Sequence, residues 1–167
     1  MSSSGSGLDD VEAIKCELAC EVLRCSGRLR FGATGWSMLP TVWPGDTLLI
    51  ERASSESVSE GDIVLFGRDR RLFAHRVVAK HNNLDDQTIL TQGDGMIDPD
   101  EPVRHAELLG KVSSIVRNGK RLEPRRMNFL ERVVAALVRR FDSCARLIVR
   151  VYDMRRDQQE QFAPCQN

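Results

Sequence analysis

Three short segments of this chain carry side chains that can do chemistry together. GWSMLPTVWPGD (residues 35–46) supplies Ser37, LFAHRVVA (72–79) supplies His75, and TQGDGMIDPDEPV (91–103) supplies Asp94, Asp98 and Asp100. A hydroxyl, an imidazole and a carboxylate are the parts of an activated nucleophile. Serine is unreactive at neutral pH until a base within roughly 2.6–3.2 Å takes its proton, and a carboxylate fixes the tautomer of that base. Each segment also has an ordinary structural use: a serine before proline turns, a histidine on an apolar strand face, and aspartates making Asx turns beside Gly and Pro. The ordered set carries the inference, not any one member.

Local physics makes each part suitable. Pro40 biases Leu39 toward an extended backbone and Pro44 does the same for Trp43, so the loop after Ser37 is restricted before any tertiary contact forms. Along 72–79, strand alternation puts Phe73, His75 and Val77 on one face and Ala74, Arg76 and Val78 on the other, so the imidazole lies among apolar neighbours. An ordinary histidine, with a pKa near ~6.5, is largely neutral at cytoplasmic pH and able to accept a proton. Any of the three aspartates could orient it, and spacing does not choose among them. His81 and His105 stand in polar surroundings and read as surface residues. Nothing calls for a metal or cofactor: the five cysteines lack CxxC spacing, and the acidic turn lacks the EF-hand pattern.

The elements that must position these groups are mainly β. Between Gly27 and residue 126, short apolar or β-branched runs (RLRF, TLLIE, DIVLF, LFAHRVVA, TILTQ, LLGKVSSIVR and a strand after Asn118-Gly119) alternate with turn signals. Seven strands without intervening helices predict a small barrel or coiled sheet. Residues 1–7 are Ser- and Gly-rich and predict a flexible leader. Over 8–26, Val11, Ile14, Leu18, Val22 and Leu23 recur at helical spacing, predicting an amphipathic helix stopped by Gly27. A second amphipathic helix is predicted over 127–154, with the stripe Leu130, Val133, Val134, Leu137, Phe141, Cys144, Ile148 and Val151, followed by a polar tail over 155–167.

Taken in order, SMLPT with Ser37, PGD with Asp46, GDIVLF from Gly61, HRVV with His75, and QGD with Asp94 followed six residues later by Asp100 resemble the signal peptidase family of serine endopeptidases. That family shares its catalytic fold with SOS-type repressor autoproteases. The resemblance spans about Leu29 to Arg117 and points to the branch with histidine, rather than lysine, as base. It implies that Ser37 attacks the scissile carbonyl, His75 takes and returns the proton, and Asp100, with Asp94 nearby, supports the imidazole. It further implies that the Ser37 N–H, with Met38, faces the oxyanion, and that Gly35, Trp36, Met38 and Pro40 border the substrate. Where classical members carry Ser-Gly before the nucleophile, this chain has Gly35 and Trp36.

Composition narrows the partners. Lysine plus arginine equal aspartate plus glutamate, 24 against 24, so no global pull toward nucleic acid is encoded. The N-terminus lacks the basic and apolar regions of a secretory signal, and no apolar run approaches the ~20 residues of a membrane span. The expectation is a soluble, cytoplasmic endopeptidase acting on a peptide or leader at small residues. The alternative is a catalytically silent module that binds an extended peptide by strand addition. Residues 125–156 hold nine arginines against Glu131, Asp142 and Asp153, which suits peripheral contact with an anionic membrane or a homodimer through this helix.

Overall fold

The computed structural model describes residues 6–83 and 86–124. One helix, α1 (Ser6–Ser26), precedes eight strands: β1 (Arg28–Gly32), β2 (Thr47–Arg52), β3 (Ile63–Arg68), β4 (Arg71–Asn83), β5 (Asp86–Gln92), β6 (Val103–Arg104), β7 (Leu108–Arg117) and β8 (Lys120–Leu122). They form one antiparallel sheet in the order β1-β2-β7-β3-β4-β5-β6, with β8 added to β7. The fold is therefore mainly β. The predicted helix over 127–154 and the tail over 155–167 lie outside the described residues.

The turn chemistry explains the hairpins. Asn118 and Gly119 both take positive φ, 50° and 73°, which the tight β7–β8 connection requires and which this residue pair tolerates. Asp69 and Arg70 adopt the same left-handed conformation, 51° and 61°, between β3 and β4 without a glycine. The two-residue β6 was not anticipated, because so short a segment has no periodicity to read.

β3 organises the core. Its residues Ile63, Val64, Leu65 and Phe66 are all buried, and alternation divides them between two clusters. Ile63 and Leu65 join Leu48, Ile50, Val112, Ile115, Met38 and Leu23 of α1. Val64 and Phe66 join Val58, Val77, Ile89, Val103 and Leu108. A strand covered on both sides reads as a continuous apolar run, and each such side chain contributes about 1.5–3 kcal/mol on burial.

α1 departs from expectation in two ways. It starts at Ser6, so Ser6 and Gly7 belong to the helix and not to a leader. It also packs through Ala13, Ala19 and Leu23, with Cys16 and Cys20 between them, while Val11, Ile14 and Leu18 of the predicted stripe stay exposed. Ala13 and Val11 are two residues, about 200°, apart around the helix, so the sequence carries two apolar stripes on opposite sides. The small-residue stripe prevails because it allows close approach: Cys16 Sγ lies 3.2 Å from where a β-carbon on Gly67 would sit.

Candidate active site

Ser37 lies in the connection between β1 and β2, which folds into successive turns. The Leu39 N–H bonds to the Trp36 carbonyl at 3.0 Å and the Val42 N–H to the Met38 carbonyl at 2.9 Å, while Met38, Leu39 and Val42 are buried beneath it. The Leu39-Pro40 peptide is cis. On the far side, the Ser37 carbonyl accepts the Gly95 N–H at 2.8 Å, and a β-carbon on Gly93 would come within 2.6 Å of that same oxygen. Only glycine at 93 lets the acidic turn close so tightly on the serine.

Three predicted residues meet in a chain. His75 Nε2 is 2.9 Å from Ser37 Oγ, and its Nδ1 is 2.7 Å from Asp100 Oδ2. With Asp100 ionised, Nδ1 must carry the proton, which leaves the Nε2 lone pair facing the serine hydroxyl. The imidazole is 6% exposed and lies near the rings of Phe66 and Phe73, with centroids 6.0 and 6.1 Å away. Asp100 is fixed in turn: its Oδ2 accepts the hydroxyl of fully buried Thr91 at 2.7 Å, and its N–H donates to the Thr91 carbonyl at 2.8 Å. Burial by itself would raise the Asp100 carboxyl. The hydrogen bonds from His75 and Thr91 and the nearby charge of Arg68 outweigh it, so the group sits below the ordinary 3.8.

Asp94 does not take the place expected for it beside the imidazole. Both ring nitrogens of His75 are occupied by Ser37 and Asp100, and Asp94 instead holds Arg76 in a bidentate pair, Nε to Oδ1 and Nη2 to Oδ2, each 2.8 Å. Asp94 also accepts the Thr41 hydroxyl, and Arg76 donates to the Gly61 carbonyl at 2.7 Å. Alternation along β4 sends Arg76 to the face opposite His75, where a buried guanidinium requires a carboxylate. Asp98 is exposed on the acidic turn.

A second arginine clamps the other end of the serine loop. Arg117 of β7 pairs with Asp46 through Nε at 2.9 Å and Nη2 at 2.6 Å, and donates from Nη2 to the Thr41 carbonyl at 2.9 Å. Thr41 is thus gripped by Arg76 and Asp94 through its hydroxyl and by Arg117 through its backbone. Thr41, Arg76, Thr91 and Arg117 are positioning residues that pattern reading missed. The available signal was the buried arginine next to His75, which had to find one of the nearby aspartates.

The serine opens on a cleft of about 380 Å³ floored by Phe31, Ala33, Val42, Leu48, Leu72 and Ala74. Gly35, Trp36 and Met38 line it as anticipated, with Trp36 44% exposed at the rim. Pro40 does not line it. Its carbonyl accepts the Trp43 indole N–H at 2.8 Å, so it braces the loop from behind. Among the described residues, no backbone hydrogen bond engages the N–H of Ser37 or Met38.

The segment that carries Asp100 is pinned by Arg68, which donates to the Glu101 and Pro102 carbonyls and to both oxygens of Glu107, at 3.0 and 2.9 Å. The Arg68 hydrogen bonds pull Glu107 from 4.5 down to about 2 against the effect of burial. Its carboxylate therefore stabilises the fold fully above pH 4.5 and loses that contribution as pH falls through about 2. Urea unfolding across that window should show a stability slope in the wild type that is flatter in Glu107→Gln.

Comparisons with protein-family models, curated proteins and solved structures returned no match for this chain. Among the described residues, no helix is long and apolar enough to cross a membrane.

Proposed function

We propose that this protein is a serine endopeptidase of the signal-peptidase type, with its curled sheet as that family's catalytic fold and Ser37, His75 and Asp100 as its machinery. The observation that carries the reading is the continuous hydrogen-bonded chain Ser37 Oγ, His75 Nε2, His75 Nδ1, Asp100 Oδ2, with links of 2.9 and 2.7 Å, at the mouth of an apolar cleft.

Ser37 Oγ attacks the scissile carbonyl carbon while its proton passes to His75 Nε2. The carbonyl oxygen gains the negative charge and is met by the N–H groups of Ser37 and Met38, which have no backbone partner to give up. Collapse breaks the C–N bond as Nε2 returns the proton to the departing amine. Water, deprotonated by the same nitrogen, then releases the acyl group. Asp100 holds the ring orientation and stabilises the imidazolium throughout. Ala33 and Ala74 in the cleft leave room for small side chains beside the scissile bond. The free thiols of Cys16, Cys20 and Cys25 suit a reducing compartment and hence a cytoplasmic peptide or protein substrate.

The test is labelling by a fluorophosphonate probe followed by peptide mapping. One adduct on Ser37 is expected in the wild type, and none in Ser37→Ala or His75→Ala. Equal labelling of all three proteins would sink the reading. Asp100→Asn separates the orienter from the fold: turnover should fall about 10²- to 10⁴-fold, while thermal unfolding stays near that of the wild type. Asp98→Asn should leave turnover unchanged.

A further inference from the structure

Three large apolar side chains stand exposed together at the mouth of the cleft: Trp36, Met96 and Ile97, at 44, 46 and 69%. Trp36 and Met96 line the cleft, and Ile97 continues the same turn outward. Their neighbours make this exposure informative. Met38, Leu39 and Val42 of the serine loop are buried, and Trp43 is fixed by its indole bond to the Pro40 carbonyl and by the Arg117 guanidinium 5.8 Å from its ring. The loop thus buries the apolar groups its fold uses and leaves Trp36 at the opening.

The two segments that carry the trio are tied to each other. The Gly95 N–H bonds to the Ser37 carbonyl at 2.8 Å, a β-carbon on Gly95 would lie 3.4 Å from the Trp36 carbonyl oxygen, and one on Gly93 would lie 2.7 Å from Met96 Cγ. Gln92 holds the other side of the turn, donating from Nε2 to the Met96 and Ile97 carbonyls at 3.0 Å each. Apolar side chains presented together on a braced backbone form a recognition surface and not scattered surface apolarity.

We infer that Trp36, Met96 and Ile97 are a specificity rim that takes a large aliphatic or aromatic side chain of the peptide substrate, at a position removed from the scissile bond. The inference rests on the hydrolytic reading and deepens it. Ala33 and Ala74 set a small-residue requirement inside the cleft, whereas the rim is open and broad. An indole supplies a rigid apolar face, and a thioether adapts to the shape laid on it. Side chains on one face of an extended chain are about 7 Å apart, so the small and the large requirement fall on different substrate residues. A lipid surface is the other apolar partner, and charge argues against it: Asp98 and Glu101 are exposed beside Ile97, and anionic headgroups repel them.

Substrate profiling with a randomised peptide library tests the rim. Products of the wild type should show a small residue at the cleaved bond and, at one fixed position not adjacent to it, enrichment of Leu, Ile, Met or Phe over Ser by about tenfold or more. In Trp36→Ser and in Ile97→Ser that enrichment should fall to about twofold or less, while the small-residue preference at the bond stays. Should Trp36→Ser melt early, Ile97→Ser, at the most exposed of the three positions, decides. If the wild type cleaves nothing and takes up no fluorophosphonate, the hydrolytic reading fails by itself, and panning the same library on the wild type and Ile97→Ser decides the rim by the same enrichment. The inference is overturned if no position away from the bond favours apolar residues, or if the preference survives both variants. It is overturned equally if the wild type co-sediments with vesicles of neutral phospholipid and Ile97→Ser does not, which gives the rim to a lipid surface.

Discussion

Ser37→Ala and His75→Ala are each expected to lower the rate of peptide hydrolysis, or of fluorophosphonate capture, on the order of 10⁴-fold or more, and the double variant is expected to be no worse than either single one. The shared hydrogen bond of 2.9 Å is the reason. Without the imidazole the hydroxyl keeps its proton, and without the hydroxyl the imidazole has nothing to activate, so the two losses describe one event and do not add. Stability should barely respond to Ser37→Ala, because the residue is only half-buried and the loop is held by Thr41, Asp46 and the Gly95 N–H. Steady-state or labelling kinetics on the four proteins, with melting temperatures alongside, would decide it. A double variant markedly slower than both singles would mean that the two residues act separately.

The largest effect on stability is expected away from the reacting atoms. Asp94→Ala should cost about 3–5 kcal/mol in urea unfolding, because it leaves the guanidinium of Arg76, 9% exposed, without its bidentate partner. Arg76→Ala should cost a comparable amount by stranding the carboxylate, which is 2% exposed. Arg76→Met/Asp94→Leu should be markedly more stable than either single loss, since it removes both buried charges together. The same variants discriminate position from chemistry. Hydrolysis by the double variant should fall through displacement of the serine loop, with KM and kcat both altered, whereas Asp100→Asn should act on kcat alone. A double variant no more stable than Asp94→Ala would show that the ion pair is not the origin of the cost.

Much of this architecture was legible in the residues. The six longer strands and the β7–β8 hairpin follow from β-branched runs and from Asn118-Gly119, whose positive φ is a local property. The opposed directions of His75 and Arg76 follow from strand alternation, and the turns of the serine loop lie where Pro40 and Pro44 stand. α1 was legible as a helix but not in its orientation. Its two apolar stripes satisfy the same spacing, and the choice between them depends on how closely small residues let it approach Gly67.

Which aspartate serves His75 was likewise beyond sequence reading. Asp94 and Asp100 stand six residues apart on one turn, and both are plausible by type. The arrangement is settled by where the long arms reach: Arg76 claims Asp94 from the opposite face of β4, and Thr91 presents Asp100 to the ring.

By itself, then, the sequence determined the longer strands, the turns and the residue types available for nucleophilic chemistry, because these depend on neighbours along the chain. Only the tertiary structure decided that they converge. The connection between β1 and β2 opens the strand order and β4 stands fifth in it, so Ser37 reaches His75 only because the sheet curls back on itself. That curl comes from strand twist summed over the whole sheet and from two separate cores packing on either side of β3, which are non-local quantities that no segment of the chain encodes alone.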